Sequence, residues 1–191
     1  MSFLVVYADD YLAGFEHKGE AKRYYEEMQI RLGKYGLEIE TSKSRLVEFG
    51  RYAKERRKRK GEGKPETFDF FGFTFYCGEN QAGKFCVIPK INGKRMLTKL
   101  KEMKQWLKNN RTKPLKEIMP ILNRKLTGHY RYYGVTYNMP SLIKYHYQTT
   151  LLLYRWLNRR SQKKSYNWEG FRQMLEHYPL AYPKKYFNLY A

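Results

Sequence analysis

Two acidic residues, Asp9 and Asp10, stand side by side in a run that is otherwise apolar or aromatic. Val5-Val6-Tyr7-Ala8 precedes them and Tyr11-Leu12-Ala13-Gly14-Phe15 follows. Neighbouring carboxylates repel, and at the rim of an apolar sheet they are also partly desolvated, so a cation nearby relieves both costs. Oxygen donors of this kind suit a hard divalent ion such as magnesium, which often takes only one or two protein carboxylates and completes its shell with substrate phosphates. Aspartate is also a frequent turn residue, and the dipeptide alone fits a solvated hairpin turn as well.

The flanking residues decide how such a pair can be positioned. Residues 3 to 7 and 11 to 15 are short, apolar and rich in β-formers, so they read as two strands of a buried sheet joined at Ala8-Asp9-Asp10. On a regular strand, adjacent side chains point to opposite faces; only a tight turn lets neighbouring aspartates serve one site.

The charge distribution separates this turn from the rest of the chain. The 191 residues include 38 Lys+Arg against 18 Asp+Glu, a formal charge of +20, with 17% aromatic residues. Such basicity with many tyrosines points to a polyanionic partner, since cations hold phosphates and aromatic faces stack on bases. Residues 1 to 50 carry 7 basic and 9 acidic side chains, whereas residues 51 to 191 carry 31 and 9. A basic polymer-binding surface beside a separate acidic metal site is what a nucleic-acid-processing enzyme needs. A basic protein of ribosomal type shares the composition. No apolar run approaches the ~18 residues of a membrane span and the start lacks a signal-peptide pattern, so a soluble, cytoplasmic protein is expected, without membrane contact. Cys77 and Cys86, on opposite arms of an expected hairpin, are expected as free, packed thiols, and no paired Cys-x-x-Cys spacing marks a zinc module.

After the first hairpin, Ala21, Tyr24, Tyr25, Met28, Leu32 and Tyr35 recur at helical spacing, with Gly36 as a left-handed stop before a strand at Leu37-Glu38-Ile39. Arg45 to Phe49 reads as another short strand. Arg51 to Lys64, holding Arg56-Arg57-Lys58-Arg59-Lys60, reads as a charged mobile loop, either merely solvated or touching phosphate. Thr67 to Cys77 reads as an aromatic strand in which Gly72 marks a bulge or the close approach of another backbone or polymer. Lys84 to Ile88 is the returning strand.

Beyond residue 94 the pattern turns helical. Met96, Leu97, Leu100, Met103 and Leu107 form one face of a first helix whose other positions hold Lys99, Lys101, Lys104 and Lys108. A second helix starts at Pro120 and runs through Leu122, Leu126, His129, Tyr130, Tyr133 and Tyr137. A third opens at Pro140, with Leu142, Tyr145, Thr149, Leu152, Leu153 and Trp156 inward and Arg155, Arg159, Arg160, Lys163 and Lys164 near its end. Asn167 caps a short helix carrying Trp168, Phe171 and Leu175, and Pro179 and Pro183 mark an extended tail. His17, His129, His146 and His177 lack ligand spacing and are expected to be structural or surface residues.

Tyr7-Ala8-Asp9-Asp10 between apolar strands resembles the catalytic hairpin of reverse transcriptases. Several later segments are similar, in order, to the back half of bacterial group II intron-encoded reverse transcriptase/maturases: Leu37 to Lys43 followed by Arg45 to Arg51, then Phe68-Asp69-Phe70-Phe71-Gly72-Phe73, then Leu122 to Gly134, and Arg155-Trp156-Leu157. The resemblance implies an α+β chain. Residues 1–93 would be the C-terminal part of a palm, built from a β-hairpin, a helix and antiparallel strands, with primer-grip strands and a basic loop at 51–66. Residues 94–166 would be an all-helical thumb or maturase domain X, and 167–191 a short helix and extended tail. It further implies that Asp9 holds catalytic Mg2+ with Asp10 in support, in a two-metal site driving attack of a primer 3′ hydroxyl on a deoxynucleotide. Lys43 would match the lysine after the palm helix, Tyr7 and Ala8 would line the nucleotide floor, and Phe71 and Gly72 would match the primer grip. The expected nucleic-acid contacts are Arg56, Arg57, Lys58, Arg59 and Lys60 in the loop and Lys99, Lys104, Arg124, Lys125, Arg131, Arg155, Arg159 and Arg160 in the helices.

The departures are specific. The family's third metal carboxylate, its fingers and its template-contacting motifs precede the hairpin, whereas this sequence has six residues before Tyr7, and Val6 stands where arginine is common. The expectation is therefore a reverse-transcriptase fragment with a splicing role, acting on intron RNA, template and DNA primer, and without polymerase activity alone. An upstream half on a separate chain would complete the site. The competing expectation is a non-catalytic basic RNA-binding splicing cofactor or a gene remnant.

Overall fold

The computed structural model describes residues 2–8, 10–160, 162 and 165–190. Among these the chain is α+β, with two small sheets and six helices. It divides into two compact units, one made of Met1–Phe71 with Tyr76–Val87 and the other of Gly72–Phe75 with Ile88–Ala191. No helix among the described residues is long and apolar enough to cross a membrane.

In the first unit, β1 (Ser2–Tyr7) and β2 (Asp10–Phe15) form an antiparallel hairpin in the register Ser2↔Phe15 through Tyr7↔Asp10. Helix α1 (Lys18–Gly33) packs on β2, with the Phe15 and Tyr24 rings 5.0 Å apart. Its Ala21, Tyr24, Tyr25, Met28 and Leu32 form a half-buried stripe, and Gly36 takes the left-handed conformation that ends the turn, at φ +69°. The buried sheet expected at residues 3 to 7 is not observed: β1 is exposed throughout, because its sheet has two strands and α1 covers β2.

Three further expectations in this unit are corrected. Residues 37–39 and 45–49 are not strands, since the second segment spends its polar groups on side chains rather than on a neighbouring ladder. The Glu48 amide donates to Glu66 Oε2 at 2.7 Å and the Arg45 guanidinium to the Thr67 carbonyl. The basic loop contains a helix, α2 (Ala53–Arg59). Carboxylates make that helix tolerable: Glu48 pairs with Arg56 at 3.2 Å and Lys60 at 3.0 Å, and Arg57 pairs with Glu62 at 3.2 Å. Finally, Thr67 to Cys77 is not one bulged strand. It is a tight hairpin of β3 (Phe68–Phe70) and β4 (Phe73–Glu79), reversing at Phe71 and Gly72 with φ of +50° and +75°. Two positive φ values in a two-residue connection are what a right-twisted hairpin demands.

Strand β5 (Phe85–Ile91) completes the order β3-β4-β5. Cys77 on β4 and Cys86 on β5 are both free thiols. The second unit then stacks α3 (Gly93–Asn110), α4 (Leu115–Tyr133) and α5 (Met139–Leu157) around a core in which Leu122, Leu126, Leu142 and Leu153 are fully buried. Met96, Met103 and Leu107 face that core, but Leu97 is exposed, one position off the stripe. Helix α4 starts at Leu115 rather than Pro120: Pro114 occupies the cap, and Pro120 sits inside at the cost of one backbone donor. Tyr137 lies beyond the helix, at φ +68°. Pro140 does open α5, and the Asn167 side chain caps α6 (Trp168–His177) by accepting from the Gly170 amide at 2.8 Å.

Asn138 holds this unit's joints. Its buried side chain accepts from the Ile91 amide at 3.1 Å and donates to the Tyr133 carbonyl at 2.8 Å, tying the end of β5 to the α4–α5 connection. The tail returns along the same place, with Tyr186 and Phe187 amides donating to the Gly134 carbonyl at 2.7 and 3.0 Å.

Candidate active site and nucleic-acid surface

The reversal between β1 and β2 is the first feature of the site. Tyr7 pairs with Asp10, so residues 8 and 9 link the strands; Ala8 adopts φ +50°, a value seldom taken by a residue with a Cβ. Asp9 lies outside the described residues. Asp10 is exposed and begins β2 rather than sitting in the turn. Tyr7, 65% exposed, ends β1 and packs edge-on against Phe71 with ring centres 5.0 Å apart. Two residues far apart in sequence thus meet at the end of β1, where Tyr7 pairs with Asp10.

Phe71 and Gly72 form the second turn. A Cβ on Gly72 would stand 2.8 Å from the Tyr133 hydroxyl, which accounts for glycine there alongside its positive φ. Lys43 is exposed in a separate turn, where its amide and that of Ser44 donate to the Glu40 carbonyl at 3.1 and 3.0 Å. The Ser42 hydroxyl and amide, together with Lys43, hold the Glu40 carboxyl below the usual range.

Among the described residues no three His, Cys, Asp or Glu side chains converge as a metal cage. By residue type Asp9 and Asp10 offer carboxylate oxygens, and that chemistry fits magnesium rather than a softer metal.

The expected nucleic-acid cations fall into two classes. In the first unit, Arg56, Arg57 and Lys60 are engaged with Glu48, Glu62 and Glu66, leaving Lys58 and Arg59 on the same helix outside these pairs. In the second unit, Lys99 pairs with Glu102 at 2.9 Å, while Lys104, Arg124, Arg131 and Arg155 are exposed. Lys125 lies over Trp106, 5.4 Å from the ring centre, and Arg159 over Trp156 at 5.3 Å. Arg160 donates to the Lys113 carbonyl at 3.3 Å. Arg111, absent from the expected set, lies 5.7 Å from the Trp156 ring centre on the side chain's guanidinium carbon. Periodicity carried no signal for it, because it stands just past the end of α3 and only packing brings it to α5.

Residues 1–75 match the reverse transcriptase (RNA-dependent DNA polymerase) family model. The matched segment contains the β1–β2 hairpin, Lys43 and the Phe71-Gly72 turn, and ends inside β4. No curated protein and no solved structure matches the chain. A reverse-transcriptase domain synthesises DNA on an RNA template, so template and primer are the partners it implies.

Proposed function

We propose that this chain belongs to an RNA-directed DNA polymerase of the group II intron-encoded kind, with its first unit contributing palm elements and its second unit a basic helical thumb that also assists intron splicing. The observation that carries the reading is the β1–β2 hairpin, whose register sets Tyr7 against Asp10 inside the segment that matches reverse transcriptases. Asp9 and Asp10 would hold magnesium, which when bound stabilises charge on a reacting phosphate. Tyr7 and Phe71, in edge-to-face contact, present an aromatic surface against which a base or sugar can be positioned. The Phe71-Gly72 turn offers backbone with little side-chain bulk for a primer strand to pass. Exposed cations of the second unit, among them Lys104, Arg124 and Arg131, hold the phosphodiester backbone.

Primer extension on an RNA template, with RNA affinity measured in parallel on the same complex, tests this. Asp9→Asn or Asp10→Asn should reduce nucleotide addition by about a hundredfold or more, the scale on which charge stabilisation at a reaction centre acts, and leave RNA affinity within about twofold. Synthesis indifferent to both substitutions ends the catalytic reading. Tight RNA binding and splicing assistance with Asp9→Asn at no cost in either would instead make the chain a non-catalytic splicing cofactor.

A further inference from the structure

The C-terminal ends of α3 and α5 meet in the second unit, and cations gather there. Arg111 is the C-cap of α3 and Asn158 that of α5, with Arg159 and Arg160 next in the chain. The Trp156 indole is the hub: the Arg111 and Arg159 guanidinium carbons lie 5.7 and 5.3 Å from its ring centre. Arg160 donates to the Lys113 carbonyl and Arg111 to the Lys108 carbonyl, each at 3.3 Å. No carboxylate among the described residues pairs with any of these three arginines.

Each arginine singly has a structural reason to be here, because the last carbonyls of a helix carry about half a negative charge. Two helix ends together offer about one such charge, against the three guanidiniums of Arg111, Arg159 and Arg160. The surplus is not neutralised from inside either. The Nε donors of Arg111 and Arg160, the Trp156 indole N–H and the Asn158 amide nitrogen are buried and meet no acceptor among the described residues. Burial pushes the Arg160 guanidinium below its ordinary value. Arg159 is exposed and Arg111 and Arg160 half-buried, so the uncompensated charge faces outward.

We propose that the arginine cluster around Trp156 is a phosphate-binding site, taking an oxyanion of the kind a nucleic-acid backbone presents on Arg111, Arg159 and Arg160. Guanidinium forks match phosphate geometry, and contact with the indole face holds two of them in place before the ligand arrives. The inference rests on the nucleic-acid reading of this unit and names a site within it.

Trp156 reports on the site directly. In the full chain carrying Trp106→Phe and Trp168→Phe it is the remaining tryptophan of three. Labelled single-stranded RNA is titrated while anisotropy reads total binding and Trp156 emission reads the site, and inorganic phosphate is titrated separately. RNA should change the emission over the range in which anisotropy rises. Arg111→Gln with Arg159→Gln should abolish that change, weaken RNA binding by about tenfold and lower the salt slope by about one. Arg111→Lys, which keeps the charge without the fork, should lose most of the emission change while melting like its parent. An Arg111-dependent response to inorganic phosphate but not to bound RNA assigns the site to free phosphate. Anisotropy that rises with Trp156 unresponsive to either ligand, or an emission change that survives the double substitution, overturns the site and leaves the nucleic-acid reading standing. A phosphate response without RNA binding overturns that reading and leaves the site, and silence to both ligands overturns both.

Discussion

His129 has no spacing that marks it as a ligand, and its surroundings make it a core residue. Its ring stacks on Tyr145 with centres 3.8 Å apart at 20°, and its buried Nε2 meets no partner among the described residues. Burial first, and the Lys99 ammonium second, lower it from 6.5 to about 4. Between those values the unfolded chain binds the proton and the folded one does not, so stability rises with pH: it is fully present above about pH 6.5 and is lost as the pH falls toward 4. His146 is lowered in the same direction, also by burial. Urea unfolding across that window should show a loss of about 3 kcal/mol in the parent and a much flatter profile in His129→Phe. An unchanged slope would place the acid sensitivity elsewhere. Gly72 is the second residue whose identity is dictated by its site. Gly72→Ala combines a positive φ with contact on Tyr133, and should cost about 2 kcal/mol or more by thermal or urea unfolding.

At the scale of elements, the tail is a strap rather than a loose end. Asn123 on α4 pins it through two hydrogen bonds, donating to the Pro179 carbonyl and accepting from the Ala181 amide, each at 2.8 Å. Further along, Val135 bridges to Phe187, and the Thr136 hydroxyl accepts from the Leu189 amide at 3.0 Å. Close approach at Gly134 permits this, since a Cβ there would lie 2.4 Å from the Tyr130 carbonyl and 2.9 Å from that of Lys184. Gly134→Ala should therefore destabilise the second unit by about 1 to 3 kcal/mol through overpacking. Hydrogen exchange should show the Tyr186, Phe187 and Leu189 amides opening faster in this variant and in Asn123→Ala. Uniform acceleration across α3 to α5 with the tail amides unaffected would mean that the strap is not what these residues hold.

For the whole molecule, charge is divided as unevenly as structure. Residues 88–191 carry 22 Lys+Arg against 4 Asp+Glu, whereas Arg56, Arg57 and Lys60 in and beside α2 are matched by local carboxylates. A cation already paired releases fewer counterions when phosphate arrives, so the two groups should contribute differently to RNA binding. Arg124→Gln with Arg131→Gln should lower the slope of log affinity against log salt by about 2. Arg56→Gln with Lys60→Gln should change it by about half that or less. Equal effects of the two pairs would show that the α2 ion pairs open on binding.

Much of this organisation is legible in the residues themselves. Apolar periodicity located α1, α3, α5 and both arms of the β1–β2 hairpin, because a 3.6-residue or two-residue repeat follows from backbone geometry alone, but it merged β3 and β4 into one strand. Adjacent Asp9 and Asp10 between β-formers likewise announced a reversal, since no regular strand brings such neighbours to one face. Tertiary structure decided what depends on partners distant in sequence. Residues 45–49 have strand composition but join no sheet among the described residues, and the basic run from Arg56 enters helix α2 with Glu48, Glu62 and Glu66 pairing Arg56, Arg57 and Lys60. Tyr7 meets Phe71, and Arg111 meets Trp156, only through contacts across the chain, whose free energy local propensity does not contain.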